Sequence, residues 1–232
     1  PVAKKLVEWM ILRSDDPGVD FSRYAAFISS SAGWPSLSTM RRKAEALLFQ
    51  ERPAPSTVNA FFASNKPLSA KGKFALARAL QAQGDTKSAL AVVRDAWRND
   101  GFSADVESRV HEQFSDLLTR EDHKARMDRR LYEKDDTDAG LRAANRLGGD
   151  HSALAKARIA MIDKGTNKAL LDAVPAALRN DIGYKFARIQ YLRRVDKHAE
   201  AAEAAGGRPL PAPVQGLMRL AAKVMTTVAH RL

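Results

Sequence analysis

The sequence predicts an all-α chain built as an α-solenoid, a superhelix of helical hairpins. Three observations carry this. Aromatic residues make up only 7% of the 232 residues while Ala, Leu and Arg recur throughout, a mix that favours helices over sandwiches and barrels, which use β-branched and aromatic residues. Apolar residues recur three and four positions apart, the spacing that places them on one helical face. The breaks between these stripes are short and polar, which joins neighbouring helices as hairpins.

The clearest hairpin runs from Lys73 to Trp97. Phe74, Leu76, Ala77 and Leu80 form one stripe, Gln83-Gly84-Asp85-Thr86 breaks it, and Leu90, Val93, Ala96 and Trp97 resume it. Gly84 is placed to close the first helix in a left-handed conformation, and Asp85 or Thr86 to cap the second. A second hairpin joins Asp122–Tyr132 to Leu141–Leu147 through a turn at 134–137. A third joins Phe186–Leu192 to Ala199–Ala202 through Val195-Asp196-Lys197. Two further pairs cover Met40–Phe49 with Thr57–Phe62 and Ala153–Ile162 with Lys168–Val174, giving about twelve helices. Stacked hairpins with Ala at close approaches, among them Ala77 and Ala143, resemble tetratricopeptide repeats, although the spacing is irregular. An irregular helical bundle is the alternative. The chain divides into an α-superhelical domain at 1–205, a Gly/Pro linker at 206–213 and an amphipathic C-terminal helix at 214–232.

Composition removes several function classes. The chain has no Cys, hence no disulfide framework, thiolate nucleophile or Cys-based zinc site. No window approaches the roughly 18 to 20 uncharged apolar residues of a membrane span, so none is expected. The start at Pro1 without an initiator Met reads as a fragment or a processed chain. The five histidines, at 111, 123, 151, 198 and 230, are nowhere three or four residues apart, so no metal site is expected, and their polar neighbours suggest surface or capping roles. No phosphate-cradling glycine loop is present, and no cofactor is expected. The tryptophans, Trp9, Trp34 and Trp97, read as packing between helices.

Thirty-eight Lys and Arg against 27 Asp and Glu leave a net charge of +11, which favours anionic partners without naming one. Basic clusters lie at Arg41-Arg42-Lys43, at Arg126 with Arg129-Arg130, and at Arg188 with Arg193-Arg194. Their plain role is to lay stems over a neighbouring helix with the guanidinium wet or paired to an acid. Nucleic acid is not the expected partner, because no recognition helix or aromatic RNA-binding motif is present.

Several stretches resemble the N-terminal superhelical domain of soluble lytic murein transglycosylases, which cleave peptidoglycan. They include Trp34-Pro35 with Arg41-Arg42-Lys43-Ala44-Glu45, Leu76-Ala77-Arg78-Ala79-Leu80, Ala96-Trp97-Arg98, the run Asp122–Tyr132, and Arg188–Arg194. The resemblance implies a periplasmic, U-shaped scaffold that positions glycan strands for a catalytic domain absent from this chain, with Arg188, Arg193 and Arg194 as glycan-binding residues. A tetratricopeptide-like scaffold with a protein partner in its concave groove is the alternative. No catalytic residue is assigned: the one Glu-Ser pair, Glu107-Ser108, precedes Gly216-Leu217-Met218-Arg219 at the wrong distance, and Glu107 is expected at the surface.

Overall fold

Capping signals decide where the helices of this chain start and stop. Asp20, Asp85, Asp136 and Asp181 each accept a hydrogen bond from a free main-chain amide two to three residues on, at the N-termini of four helices, and Ser69 and Ser103 do the same for two more, as short polar side chains do. Gly84 adopts φ +83°, a conformation a side chain would strain, and ends its helix as the sequence predicts.

The structure, a computed structural model, describes residues 2–14, 16, 18–133 and 136–206. Within them the chain is all-α, with thirteen α-helices and no strand: α1 (Val2–Arg13), α2 (Phe21–Ser30), α3 (Leu37–Glu51), α4 (Pro55–Phe62), α5 (Ala70–Ala82), α6 (Thr86–Asn99), α7 (Ala104–Phe114), α8 (Arg120–Glu133), α9 (Thr137–Leu147), α10 (Gly149–Ile162), α11 (Lys168–Asp172), α12 (Ile182–Arg194) and α13 (His198–Ala205). The helices of all five predicted hairpins are present, and three of the pairs, α5 with α6, α8 with α9 and α12 with α13, pack on each other. The segments 207–213 and 214–232, expected as the body of the linker and as the terminal helix, lie outside the described residues.

The chain forms two units, residues 1–159 and 160–232. In the first, α5 packs on α6 and α8 on α9 as hairpins, while α3 meets α5 and α6 meets α8, so alternate helices form a layer in a solenoid-like stack. Its core runs from Leu12 through Phe27, Leu48, Phe74 and Trp97 to Phe114. Ala77 and Ala143 are fully buried, at the close approaches predicted for them. In the second unit, α12 packs against α11 and α13.

Arginine side chains of α5, α8 and α12 reach the C-terminal carbonyls of neighbouring helices. Arg78 donates to Leu48 O at 2.8 Å in the last turn of α3, Arg126 and Arg130 to Trp97 O and Asn99 O at 3.0 Å at the end of α6, Arg120 to Leu147 O at 2.9 Å at the end of α9, and, in the second unit, Arg194 to Met161 O at 2.6 Å. Those carbonyls have no partner inside their own helix and carry the negative end of its dipole, so a guanidinium satisfies both needs. The predicted basic clusters are therefore spent largely inside the fold: Arg41 and Arg42 likewise donate to Lys66 O and Leu68 O at 2.6 and 2.7 Å.

Candidate functional site

The one dense cluster of ionisable groups in the described interior lies where α6, α7, α8 and α9 meet. Glu107, on the apolar face of α7 one turn before Val110 and two before Phe114, is fully buried rather than at the surface as predicted. It is reached by three arginines. Arg126 lies 3.3 Å from Oε2, Arg142 3.1 Å from the same oxygen, and Arg146 2.5 Å from Oε1. Arg126 is itself fully buried. Its guanidinium carbon sits 3.9 Å from the centre of the Phe102 ring and 5.1 Å from that of Trp97, where the negative faces of the rings offset part of the lost hydration.

Burial pushes the Glu107 carboxyl up, but the guanidiniums of Arg126, Arg142 and Arg146 outweigh it and hold the pKa below the usual carboxylate range. A general acid in glycoside cleavage needs the opposite shift. Glu107 is thus held as the anion of a buried ion-pair cluster. Burial, opposed by Glu107, lowers Arg126 to about 10.

Beside this cluster the rings of His111 and His123 stack with centroids 5.7 Å apart, and His123 meets Trp97 edge-on at 5.5 Å. His123 is 9% exposed, which corrects its expected surface role. The Nδ1 of His123 and the Nε1 of Trp97 are buried without a hydrogen-bond partner. Burial, then Arg146 and His111, lowers His123 to about 4, and burial also lowers His111. Both rings are therefore neutral near pH 7. The adjoining Asp122, fully buried, pairs with Arg98 at 2.5 Å and Arg94 at 3.1 Å and caps α8 through the Thr119 amide at 2.8 Å.

The pattern of α8 held a signal for this cluster. Its apolar residues are too few to fill a buried stripe, so the stripe runs through Asp122, His123, Arg126 and Arg130. Charged residues at core spacing on a helix that must be covered are buried ion pairs in the making.

A shallow groove of about 440 Å³ opens beside Arg120, Glu121, Lys124, Asp128, Leu147 and His151. Its charges are matched internally, since Lys124 pairs with Asp128, Arg158 also reaches Asp128, and Arg120 holds Leu147 O. Among the described residues no group of three or more His, Cys, Asp or Glu could hold a metal ion.

The predicted glycan-binding residues all lie on α12. Arg188 and Arg193 are exposed, whereas Arg194 is half-buried and committed to Met161 O and Gly165 O. Arg188 and Arg193 stand five positions apart, about 140° around the helix axis, so the geometry does not gather the three on one face.

Comparison with known proteins overturns the transglycosylase resemblance. Curated relatives that match include 3-demethoxyubiquinol 3-hydroxylases. One from Cupriavidus pinatubonensis is 49% identical over 63 residues, 27% of this chain and 28% of that protein. One from Polaromonas naphthalenivorans is 74% identical over 35 residues, 15% of this chain and 17% of that protein. One from Xanthomonas oryzae pv. oryzae is 48% identical over 54 residues, 22% and 25%. The chain thus spans between 17% and 28% of the length of these relatives. No family model matches the chain, and no solved structure does. The expectations of a peptidoglycan scaffold, glycan strands as partner, a tetratricopeptide-like docking groove and a periplasmic location are withdrawn on these matches. The recurring helical hairpins that suggested them belong to the fold class and carry no function by themselves.

Proposed function

We propose that this chain takes part in the hydroxylation of a demethoxyubiquinol-type quinol, by recognising the quinol through the stretch it shares with the named hydroxylases. The observation that carries this is the 74% identity over 35 residues with the Polaromonas naphthalenivorans protein, supported by the longer match of 63 residues in Cupriavidus pinatubonensis. A quinol is a flat ring with hydroxyl groups at its edge, a shape recognised by apolar walls and a few placed hydrogen-bond partners. Glu107 and Arg126 are fully buried and paired with each other, so no reaction step is assigned to them.

Equilibrium dialysis of the purified chain against a short-tailed ubiquinol analogue tests the reading. Saturable binding that disappears when the shared stretch is scrambled is the expected result. Absence of saturable binding, with the chain shown to be folded by circular dichroism, overturns it.

A further inference from the structure

Helix α1 presents an apolar face to solvent. Three of its polar side chains are tied to the protein: Lys5 Nζ donates to Ser30 O at 2.5 Å, Trp9 Nε1 to Pro35 O at 2.9 Å, and Glu8 accepts two hydrogen bonds from Arg23 at 2.7 and 2.8 Å. The carbonyl of Leu12 accepts from Tyr24 Oη at 3.2 Å. Leu12 is buried and Trp9 and Ile11 pack against the core, while a second set of apolar groups faces out. Val2, Leu6, Val7 and Met10 are 75%, 45%, 56% and 59% exposed, and Ala3 is exposed beside them. Val2, Leu6 and Met10 stand at i, i+4 and i+8 with Ala3 and Val7 alongside, which makes one continuous strip. Four large aliphatic side chains in a row on a solvent-facing helix mark an interaction surface.

We propose that this face of α1 docks on a lipid surface bearing anionic headgroups. Charge complementarity chooses the occupant. The only acid of α1, Glu8, is turned inward and neutralised by Arg23, while Lys4 and Arg13 are exposed at the margins of the strip, on a chain of net charge +11. A helix with an apolar face flanked by basic residues lies in the plane of a headgroup layer, and its attachment grows with apolar area and with anionic lipid. Area argues against a second copy of the chain. A strip of five side chains on a helix about 18 Å long offers a few hundred Å², well short of the ~800 Å² per partner of a stable dimer. Among the described residues no helix is long and apolar enough to cross a membrane.

The test is co-sedimentation of the full chain with vesicles free of quinol, which separates this proposal from the functional one. Vesicles of equal phosphatidylglycerol and phosphatidylcholine are compared with phosphatidylcholine alone. Binding to the anionic vesicles is expected, weaker at higher salt, and about tenfold weaker for a Leu6→Gln/Met10→Gln variant, which removes two apolar contacts. Both side chains are exposed, so the variant's thermal unfolding should match that of the parent. Full vesicle binding by the variant would place attachment outside α1 and overturn the proposal. So would an absence of vesicle binding together with a concentration-dependent dimer that the same variant abolishes, which would identify a second copy as the occupant.

Discussion

Replacing Glu107 by Gln keeps the shape of the side chain and removes the charge that three guanidiniums share. Exposure decides which of them suffers. The Arg142 and Arg146 side chains are 33% and 23% exposed and can turn toward water, whereas Arg126 is fully buried with its Nε already unpartnered. The cost is therefore that of one buried cation left without its counter-charge, about 3 to 5 kcal/mol. Against the ~5 to 15 kcal/mol stability of an ordinary domain, this is a large fraction. For a unit of 159 residues it corresponds to a fall in Tm of roughly 6 to 20 °C. Urea unfolding followed by circular dichroism reads it directly. A loss below about 1 kcal/mol would refute the argument, because it would mean that Arg126 finds solvent or another acceptor. The Glu107→Met/Arg126→Met double variant should lose clearly less than the two single changes added together, since it removes both charges and leaves neither stranded.

Acid should unfold the first unit earlier than its surface charges alone would dictate. His123 is lowered to about 4, so the folded state binds its proton more weakly than the unfolded chain. Its contribution is fully present above about pH 6.5 and is lost as pH falls from there toward 4, a change on the order of 3 kcal/mol. The depressed carboxyl of Glu107 adds a further loss at lower pH, below the ordinary carboxylate value. His123→Phe should flatten the profile of stability between pH 6.5 and 4, and an unchanged slope would exclude His123 as its source. Ala77→Leu or Ala143→Leu, at fully buried positions, should destabilise by about 1 to 3 kcal/mol, and unchanged denaturation midpoints would remove these alanines from the packed faces. Gly72→Ala should cost a similar amount, about 1 to 3 kcal/mol, since a Cβ there runs into the Glu45 carboxylate that holds Leu68 N at 2.8 Å and Ser69 Oγ at 2.5 Å. Amide exchange around Leu68 and Ser69 would report that displacement.

Periodicity and caps made the hairpins legible, because both are short-range. Gly84, Asp85 and Asp136 act within three residues of where they stand, and the closely packed Ala77 and Ala143 follow from the same stripes. Charge was legible only as a total. The excess of Lys and Arg over acid suggested an anionic partner, but Arg78, Arg126, Arg130 and Arg194 are occupied by main-chain carbonyls some thirty residues away, and no local pattern announces which carbonyl a guanidinium will meet. Glu107 was misplaced for the same reason. A lone acid reads as surface until the arginines of α8 and α9 are known to converge on it. The functional reading failed differently: helical hairpins with alanine-rich contacts are common to many unrelated proteins, and a likeness at that level transfers architecture without transferring chemistry.

The arginine clamps on helix ends have a kinetic consequence. Each spans 27 to 33 residues, from Arg120 to Leu147 and from Arg194 to Met161, with the clamps from Arg78, Arg126 and Arg130 at 29 to 31. That is little more than the length of one hairpin. Tertiary stabilisation within each unit is thus bought with short loop closures, and contact order is low, which favours fast folding. Nucleation can begin at any one hairpin and spread to its neighbour without waiting for distant parts of the chain to meet. A nascent chain would lock each pair of helices soon after the next one emerges, leaving little apolar surface exposed for long.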